Sequence, residues 1–120
     1  MTYSGGSANA YTYALGLLTA DTGDDLCNIT SWTKSITPVL TFYSVEGEYG
    51  PGHNSFFENE DGEIMIAYHG ETSIDGHLRC DGIRRVHFRN DGAPYFQMSA
   101  TEDLQDMEVD TKVIIQYDKM

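Results

Sequence analysis

Basic side chains are scarce in this chain: seven lysines and arginines stand against nineteen aspartates and glutamates, for a formal net charge of −12. Nucleic acid needs a cationic footprint for its phosphates, so the charge argues against that class of partner. An anionic membrane surface is disfavoured for the same reason. A neutral partner such as a sugar is compatible with this charge. Cysteine is nearly absent: Cys27 and Cys80 are too few for a disulfide framework, lack metal-ligand spacing, and read as two free thiols. No apolar run approaches the length of a membrane span, and Met1 is not followed by a signal-peptide pattern, which leaves a cytoplasmic or a secreted bacterial setting open. Internal repeats and low-complexity segments are lacking too. What is present suits one folded domain: 120 residues, 40% of them hydrophobic and 12% aromatic.

The chain reads as a succession of short strands. Thr2-Tyr3-Ser4 resembles the tail of a strand with nothing leading into it, and Gly5 to Asn9 a flexible turn. Tyr11 to Thr19 is the next strand expected, with Tyr11, Tyr13, Leu15 and Leu17 on one face. On the other face Ala14 and Gly16 leave room for a close neighbour. Asp21 to Asp25 is an acidic, solvated loop without calcium-loop spacing. Leu26 to Lys34 wraps across the surface with Trp32 as its anchor, either a buried packing residue or a flat sugar-stacking platform. An extended segment through Tyr43 follows. Farther on, Ile83 to Arg89 alternates, with Arg84, Val86 and Phe88 on one face and Arg85, His87 and Arg89 on the other. Asn90-Asp91-Gly92 turns the chain back into Tyr95 to Met98. Ser99 to Asp106 is expected to form a short helical turn and Val109 to Tyr117 a last strand. Seven or eight strands in all make the chain all-β and antiparallel.

The stretch from Glu48 to Glu71 organises this pattern. Gly50-Pro51-Gly52 is expected to be a rigid turn that delivers His53-Asn54-Ser55 as a tight polar cluster. A strand, a turn at Glu60-Asp61-Gly62 and a return strand from Ile64 to His69 complete a β-hairpin. Polar clusters on turns braced by a sheet are plausible functional positions.

The run Gly50-Pro51-Gly52-His53-Asn54-Ser55-Phe56, with Asp61-Gly62 and Tyr68-His69 after it, resembles the late part of the catalytic domain in glycoside hydrolase family 43. Weaker matches extend it in order: Leu26 to Val39, including Ser31-Trp32-Thr33-Lys34, then Arg84-Arg85-Val86 and Asp91-Gly92-Ala93-Pro94. Tyr3 to Ala100 is covered, leaving residues 101–120 as a closing or linking segment of one partial domain spanning 1–120. The resemblance implies a five-bladed β-propeller, of which this chain supplies roughly two four-stranded blades. Without it, a β-sandwich would be the default for such strands. It also implies an α-L-arabinofuranosidase, β-xylosidase or arabinanase activity, acting by inversion on plant-cell-wall oligosaccharides or polysaccharides.

Inverting glycosidases need two carboxyl groups ~6.5–9.5 Å apart, one donating a proton to the leaving oxygen and one activating water. By resemblance the base, the orienting aspartate and the acid all lie upstream of Met1, so no catalytic residue is assigned here. Glu46, Glu48, Glu58, Glu60, Asp61 and Glu71 flank the hairpin, but solvated faces account for them. His53 matches a histidine on the propeller axis beneath the pocket, which interacts with a bound metal, commonly calcium, or with ordered water. Calcium prefers oxygen ligands, so His53 could at most supplement them. Arg85 aligns best with an arginine that reaches into the sugar pocket, and Arg84 is the alternative, because a one-residue slip reverses the face. His69, Asn54 and Ser55 stand behind these. The chain alone is expected to be inactive and to associate into a homo-oligomer through its open blade flanks. Two other readings stay open: a non-catalytic carbohydrate-binding module using Trp32 and several tyrosines, and a small structural or assembly domain.

Overall fold

In the computed structural model the described residues are 1–75, 78–97 and 112. Over them the chain is all-β, with strands β1 (Thr2–Gly5), β2 (Ala14–Thr19), β3 (Thr33–Lys34), β4 (Tyr49–Glu58), β5 (Ile64–Glu71), β6 (Arg79–Arg85), β7 (His87–Phe88) and β8 (Pro94–Tyr95). A single 3-10 turn occupies Ile29–Ser31. The strands form a sheet β1-β2-β3, a second sheet β4-β5-β6 and a ribbon β7-β8, all antiparallel. The two sheets are partial propeller blades with three described strands each, one fewer than expected. The helical turn expected at 99–106 and the strand expected at 109–117 lie outside the described residues.

Glycines in these sheets serve as seats for tyrosine rings. Tyr3 is the cross-strand partner of Gly16, and a Cβ on Gly16 would stand 2.3 Å from its ring. Tyr68 is likewise the partner of Gly82, where a Cβ would stand 2.7 Å from the ring. An aromatic ring laid over a glycine covers backbone that would otherwise be bare and pins the strand register. The space expected beside Gly16 is thus filled by Tyr3.

Two expected strands are shorter than their sequence pattern. The run from Tyr11 becomes β2 only at Ala14, because Tyr13 N–H donates to Ala10 O (2.9 Å) in a turn. Beyond Val39, Leu15 N–H donates to Leu40 O (3.0 Å), and then Thr41 N–H donates to Ser44 Oγ (2.9 Å), so the extended segment stops short of the exposed Tyr43. Leu15, Leu40, Val45, Ile66, Tyr68, Val86 and Phe96 make the core. Val86 explains why the basic strand divides in two. Its N–H still donates to Ile64 O (2.8 Å) while its side chain enters the core, and from His87 onward the chain pairs with β8 instead of β5.

The central hairpin forms as expected, with one correction. Its turn is built on Asn59, whose Oδ1 accepts from the N–H groups of Asp61 (3.1 Å) and Glu63 (2.8 Å), with Gly62 at positive φ. Gly50-Pro51-Gly52, however, is no turn. It lies inside β4, and the pairing with β5 shifts register between Tyr49 and Gly52 and again between Gly52 and Ser55. Gly50 at φ +55 absorbs part of this irregularity, and a Cβ there would stand 2.9 Å from Ala10 O. Such bulges kink a strand without ending it and re-aim its side chains.

Candidate functional site

Successive strand residues point to opposite faces of a sheet, so the register of β5 with β6 sorts their side chains. Ile66↔Arg84 and Tyr68↔Gly82 belong to the core face, where Ile66 and Tyr68 are buried. Ala67↔Ile83, His69↔Asp81 and Glu71↔Arg79 belong to the other face. A cleft of about 380 Å³ opens there, bordered by His53, Ser55, Ala67, His69, Asp81 and Ile83.

His53 is placed by the bulged part of β4. Among the described residues it is the one non-glycine residue with positive φ, +53°. L-residues seldom adopt that conformation, and where the surroundings impose it the position is often functional. Its N–H donates to Ser4 Oγ (2.9 Å), tying β4 to β1. Its ring stands edge-on to His69, with centroids 5.8 Å apart, and His69 in turn stacks on Tyr13 at 5.9 Å. Burial, followed by the charge of Arg79 and the neighbouring imidazole of His53, lowers the pKa of His69 from its ordinary value; Asp81 and Glu71 oppose this without prevailing. His69 is therefore a neutral imidazole near pH 7, and its Nε2 is buried without a partner.

Arg84 and Arg85 lie outside the cleft lining, on opposite faces of the sheet. Arg84 forms a closed cluster on the core face: Nη2 pairs with Glu48 Oε1 (2.5 Å), Nε donates to Tyr68 Oη (2.9 Å), and Tyr68 Oη donates to Glu48. Burial, then the hydrogen bond to Glu48, raises the Tyr68 pKa well above the ordinary phenol value. Burial alone would lower the Arg84 pKa, but its hydrogen bonds to Glu48 and Tyr68 outweigh that, and the guanidinium is held charged more firmly than usual. Arg85 shares the face of the cleft but sits at its far end, paired with Glu63 Oε1 at 2.5 Å. Glu63 also accepts from Asn59 Nδ2 (2.9 Å), and these two bonds, Arg85 first, hold its carboxyl below the usual range.

His69, given less weight in the sequence, lines the cleft, and Arg79 stands outside its lining at the same end of the sheet. His69 is the neighbour of His53, and Arg79 brings a positive charge to that end of the sheet. Arg79 Nη2 donates to Ala8 O (2.6 Å) and to Asn9 Oδ1 (3.4 Å), which fixes its position. The period-2 rule held the signal, because Arg79, Asp81, Ile83 and Arg85 are all odd-numbered positions of one strand. Asn54 faces away: its Oδ1 accepts from Thr2 Oγ1 (3.1 Å), and Ser55 borders the cleft. Trp32 is half-buried with its Nε1 donating to Leu26 O (3.0 Å), an anchor for the surface wrap. Both thiols are exposed and unpaired.

Among the described residues no three His, Cys, Asp or Glu side chains gather into a metal-binding group. Calcium takes six to eight oxygen ligands. Asp81 and Ser55 are the side-chain oxygens the cleft offers beside His53, so the described residues do not make a calcium site by themselves. The cleft lining also holds a single carboxylate, Asp81, where inverting hydrolysis needs two.

No protein-family model matches the chain. It is 41% identical over 104 residues to an extracellular exo-α-(1→5)-L-arabinofuranosidase of Streptomyces avermitilis, and 34% identical over 104 residues to α-L-arabinofuranosidase B of Pyricularia oryzae. Each match takes in 80% of this chain and 21% of the relative, so the chain spans about a fifth of the curated relatives' length. Among solved structures, it superposes on an α-L-arabinofuranosidase from Lactobacillus brevis with TM-score 0.68 and 32% identity, over 88% of this chain and 34% of that one. It matches a thermostable family-43 glycoside hydrolase with TM-score 0.62 and 31% identity, over 82% and 31%. With the antiparallel partial blades and the run from Gly50 to Phe56, these likenesses establish that the chain belongs to glycoside hydrolase family 43, as a C-terminal portion of its β-propeller catalytic domain.

Proposed function

We propose that this chain is the pocket-forming, non-catalytic sector of an inverting glycosidase that cleaves arabinose- or xylose-containing glycosides. The observation that carries this is the cleft beside His53. A histidine in a rare backbone conformation stands at its mouth, a neutral His69 lies behind it, and Asp81 is the one carboxylate in its lining. Imidazoles and a carboxylate can orient sugar hydroxyls by donating and accepting hydrogen bonds. One carboxylate cannot both protonate a leaving group and activate a water on the opposite side of the sugar ring. The acid and base therefore belong to parts of the catalytic domain outside these residues. Calcium enters only as a ligand of that larger assembly, with His53 reaching it through water.

Within this assignment His53 contacts the bound sugar or its water, and Arg79 supplies a positive charge that acts on His69. Arg85 reaches a sugar only by leaving Glu63, and Arg84 only by leaving Glu48. The polysaccharide is then met outside the cell, the setting named for the Streptomyces avermitilis relative.

The test is an assay of the purified chain on aryl arabinofuranoside and aryl xyloside, combined with a titration by arabino-oligosaccharide followed by NMR. No turnover above buffer is expected, together with shifts centred on His53, His69 and Asp81. Turnover that survives repurification would overturn the assignment of the acid and base. Saturating shifts centred elsewhere would overturn the cleft.

A further inference from the structure

Phe42 and Tyr43 stand at the two central positions of a tight turn, where aromatic side chains are uncommon. Ser44 N–H closes the turn onto Thr41 O (2.9 Å). Two side-chain bonds brace it: Thr41 N–H donates to Ser44 Oγ (2.9 Å) and Tyr43 N–H to Thr41 Oγ1 (3.2 Å). Turn tips usually carry Gly, Asn, Asp, Pro or Ser, whose backbone preferences fit them. Ser44 and Val45 are buried and seat the turn on the core, whereas Tyr43 is left 83% exposed. Its ring lies tilted against Phe42, with centroids 4.0 Å apart, and Phe42 meets Tyr11 edge-on at 5.2 Å. Tyr11 is 39% exposed, in the turn before β2. The core cluster includes none of these three rings, so folding does not account for a row of them at the surface. We propose that Tyr11, Phe42 and Tyr43 form a platform that binds the sugar unit adjoining the one held in the cleft. The inference rests on the cleft beside His53 being a sugar site.

Two contacts place the platform beside the cleft. Gly50 N–H donates to Tyr11 O (2.8 Å), and Tyr13, two residues on, lies over Gly52 and stacks on His69. His53 follows Gly50 by three residues, and a strand advances about 3.3 Å per residue. The backbone bonded to Tyr11 therefore lies within about 10 Å of His53, a reach that a linked sugar can cover. The Tyr11 loop is tied down as well, since Arg79 Nη2 donates to Ala8 O (2.6 Å). Rings held in place before the ligand arrives lose little freedom on binding it. A pentose carries C–H groups on its ring faces and hydroxyls at its rim. The C–H side suits the electron-rich face of an aromatic ring, while the hydroxyls stay in water. None of the three side chains is charged and the whole chain carries −12, which suits a neutral ligand and repels an anionic one.

The experiment titrates the full chain with methyl α-L-arabinofuranoside and with arabinotriose, reading the ring-proton NMR signals of Tyr11, Phe42 and Tyr43 alongside those of His53. Arabinotriose should shift both sets and bind about tenfold more tightly than the single sugar. Tyr43→Ala, a change at an exposed position, should bring arabinotriose down to the affinity of the single sugar. Tyr43→Phe keeps the ring without the hydroxyl and should retain the advantage. Arabinotriose that binds no better than the single sugar would overturn the proposal. An advantage that survives Tyr43→Ala would do the same, whether or not both affinities fall. If Tyr43→Ala instead turns an associated chain monomeric in sedimentation equilibrium and leaves arabinotriose binding as it was, the rings cover a second copy of the chain and the platform falls. Silence of His53 with both sugars would sink the functional assignment above. The ring signals then decide the platform alone: it stands if arabinotriose shifts them and falls if it does not.

Discussion

Arg84 and Arg85 are neighbours in sequence with the same side chain, and the two faces of one strand give them opposite work. Arg84 closes a partly buried cluster with Glu48 and Tyr68, its side chain 17% exposed. Arg85, 26% exposed, pairs with Glu63 beside the hairpin turn. The same contrast separates two isoleucines of the sheet. Ile66 on the core face is fully buried, whereas Ile83 on the cleft face is 61% exposed. The cleft face of β4-β5-β6 is open, with Phe57 at 42% and Ile83 at 61%, and the core face is covered at Ile66 and Tyr68 but leaves Phe56, the partner of Ile66, 45% exposed. An open sheet face beside a cleft suits a sector of a ring better than a free-standing domain, because a free-standing sheet needs both faces either covered or polar.

The largest effect should come from testing the two isoleucines against each other. Ile66→Ala should cost about 3 kcal/mol in urea unfolding, for lost transfer energy and a residual cavity. Ile83→Ala should stay within about 0.5 kcal/mol. If the two cost the same, the faces are not as different as their burial implies. The paired substitution Phe57→Ser with Ile83→Ser should leave stability nearly unchanged and shift the chain from self-associated to monomeric in sedimentation equilibrium. An unchanged distribution would place any self-association elsewhere.

A smaller effect should separate the arginines. Glu48→Ala takes a carboxylate from a partly buried guanidinium and a phenol together, and should cost about 2 kcal/mol, below the range for fully buried pairs because solvent still reaches the cluster. The smallest effect belongs to Glu63. Its carboxyl has a folded pKa below the ordinary 4.5, so the support it gives Arg85 is present above that value and fades as the pH falls through the lowered one. Melting temperatures of the native chain and of Glu63→Gln should therefore differ slightly near neutrality and converge in acid. A difference that persists at low pH would mean that the pair acts through something other than charge.

Much of the fold was legible because local chemistry specified it. Glu60-Asp61-Gly62 spells its own turn, and the alternation from Ile83 onward puts Arg84 and Arg85 on opposite faces whatever pairs beside them. Gly16 called for a close neighbour, and Tyr3 answers it. The strand ends were less legible. Tyr11 and Tyr13 fit a strand pattern, yet a turn hydrogen bond at Ala10 keeps them out of β2 and frees Tyr13 to reach His69. Gly50-Pro51-Gly52 has turn composition, and the same positive φ that makes a turn also makes a bulge. Composition does not distinguish them; the partner strand does.

By itself, the sequence determined an all-β chain, its hairpin, its family and the prominence of His53, since these follow from side-chain period, turn residues and a contiguous motif. The tertiary structure alone decided which face each arginine serves and what stands behind His53. Side chains in a strand alternate with period two, so each register shift in β4 re-aims every later residue. Tyr13, His53, His69 and Arg79, spread over 67 positions of chain, meet only because β1 pairs with β2, β4 with β5 and β5 with β6, and the bond from His53 to Ser4 ties the two sheets together.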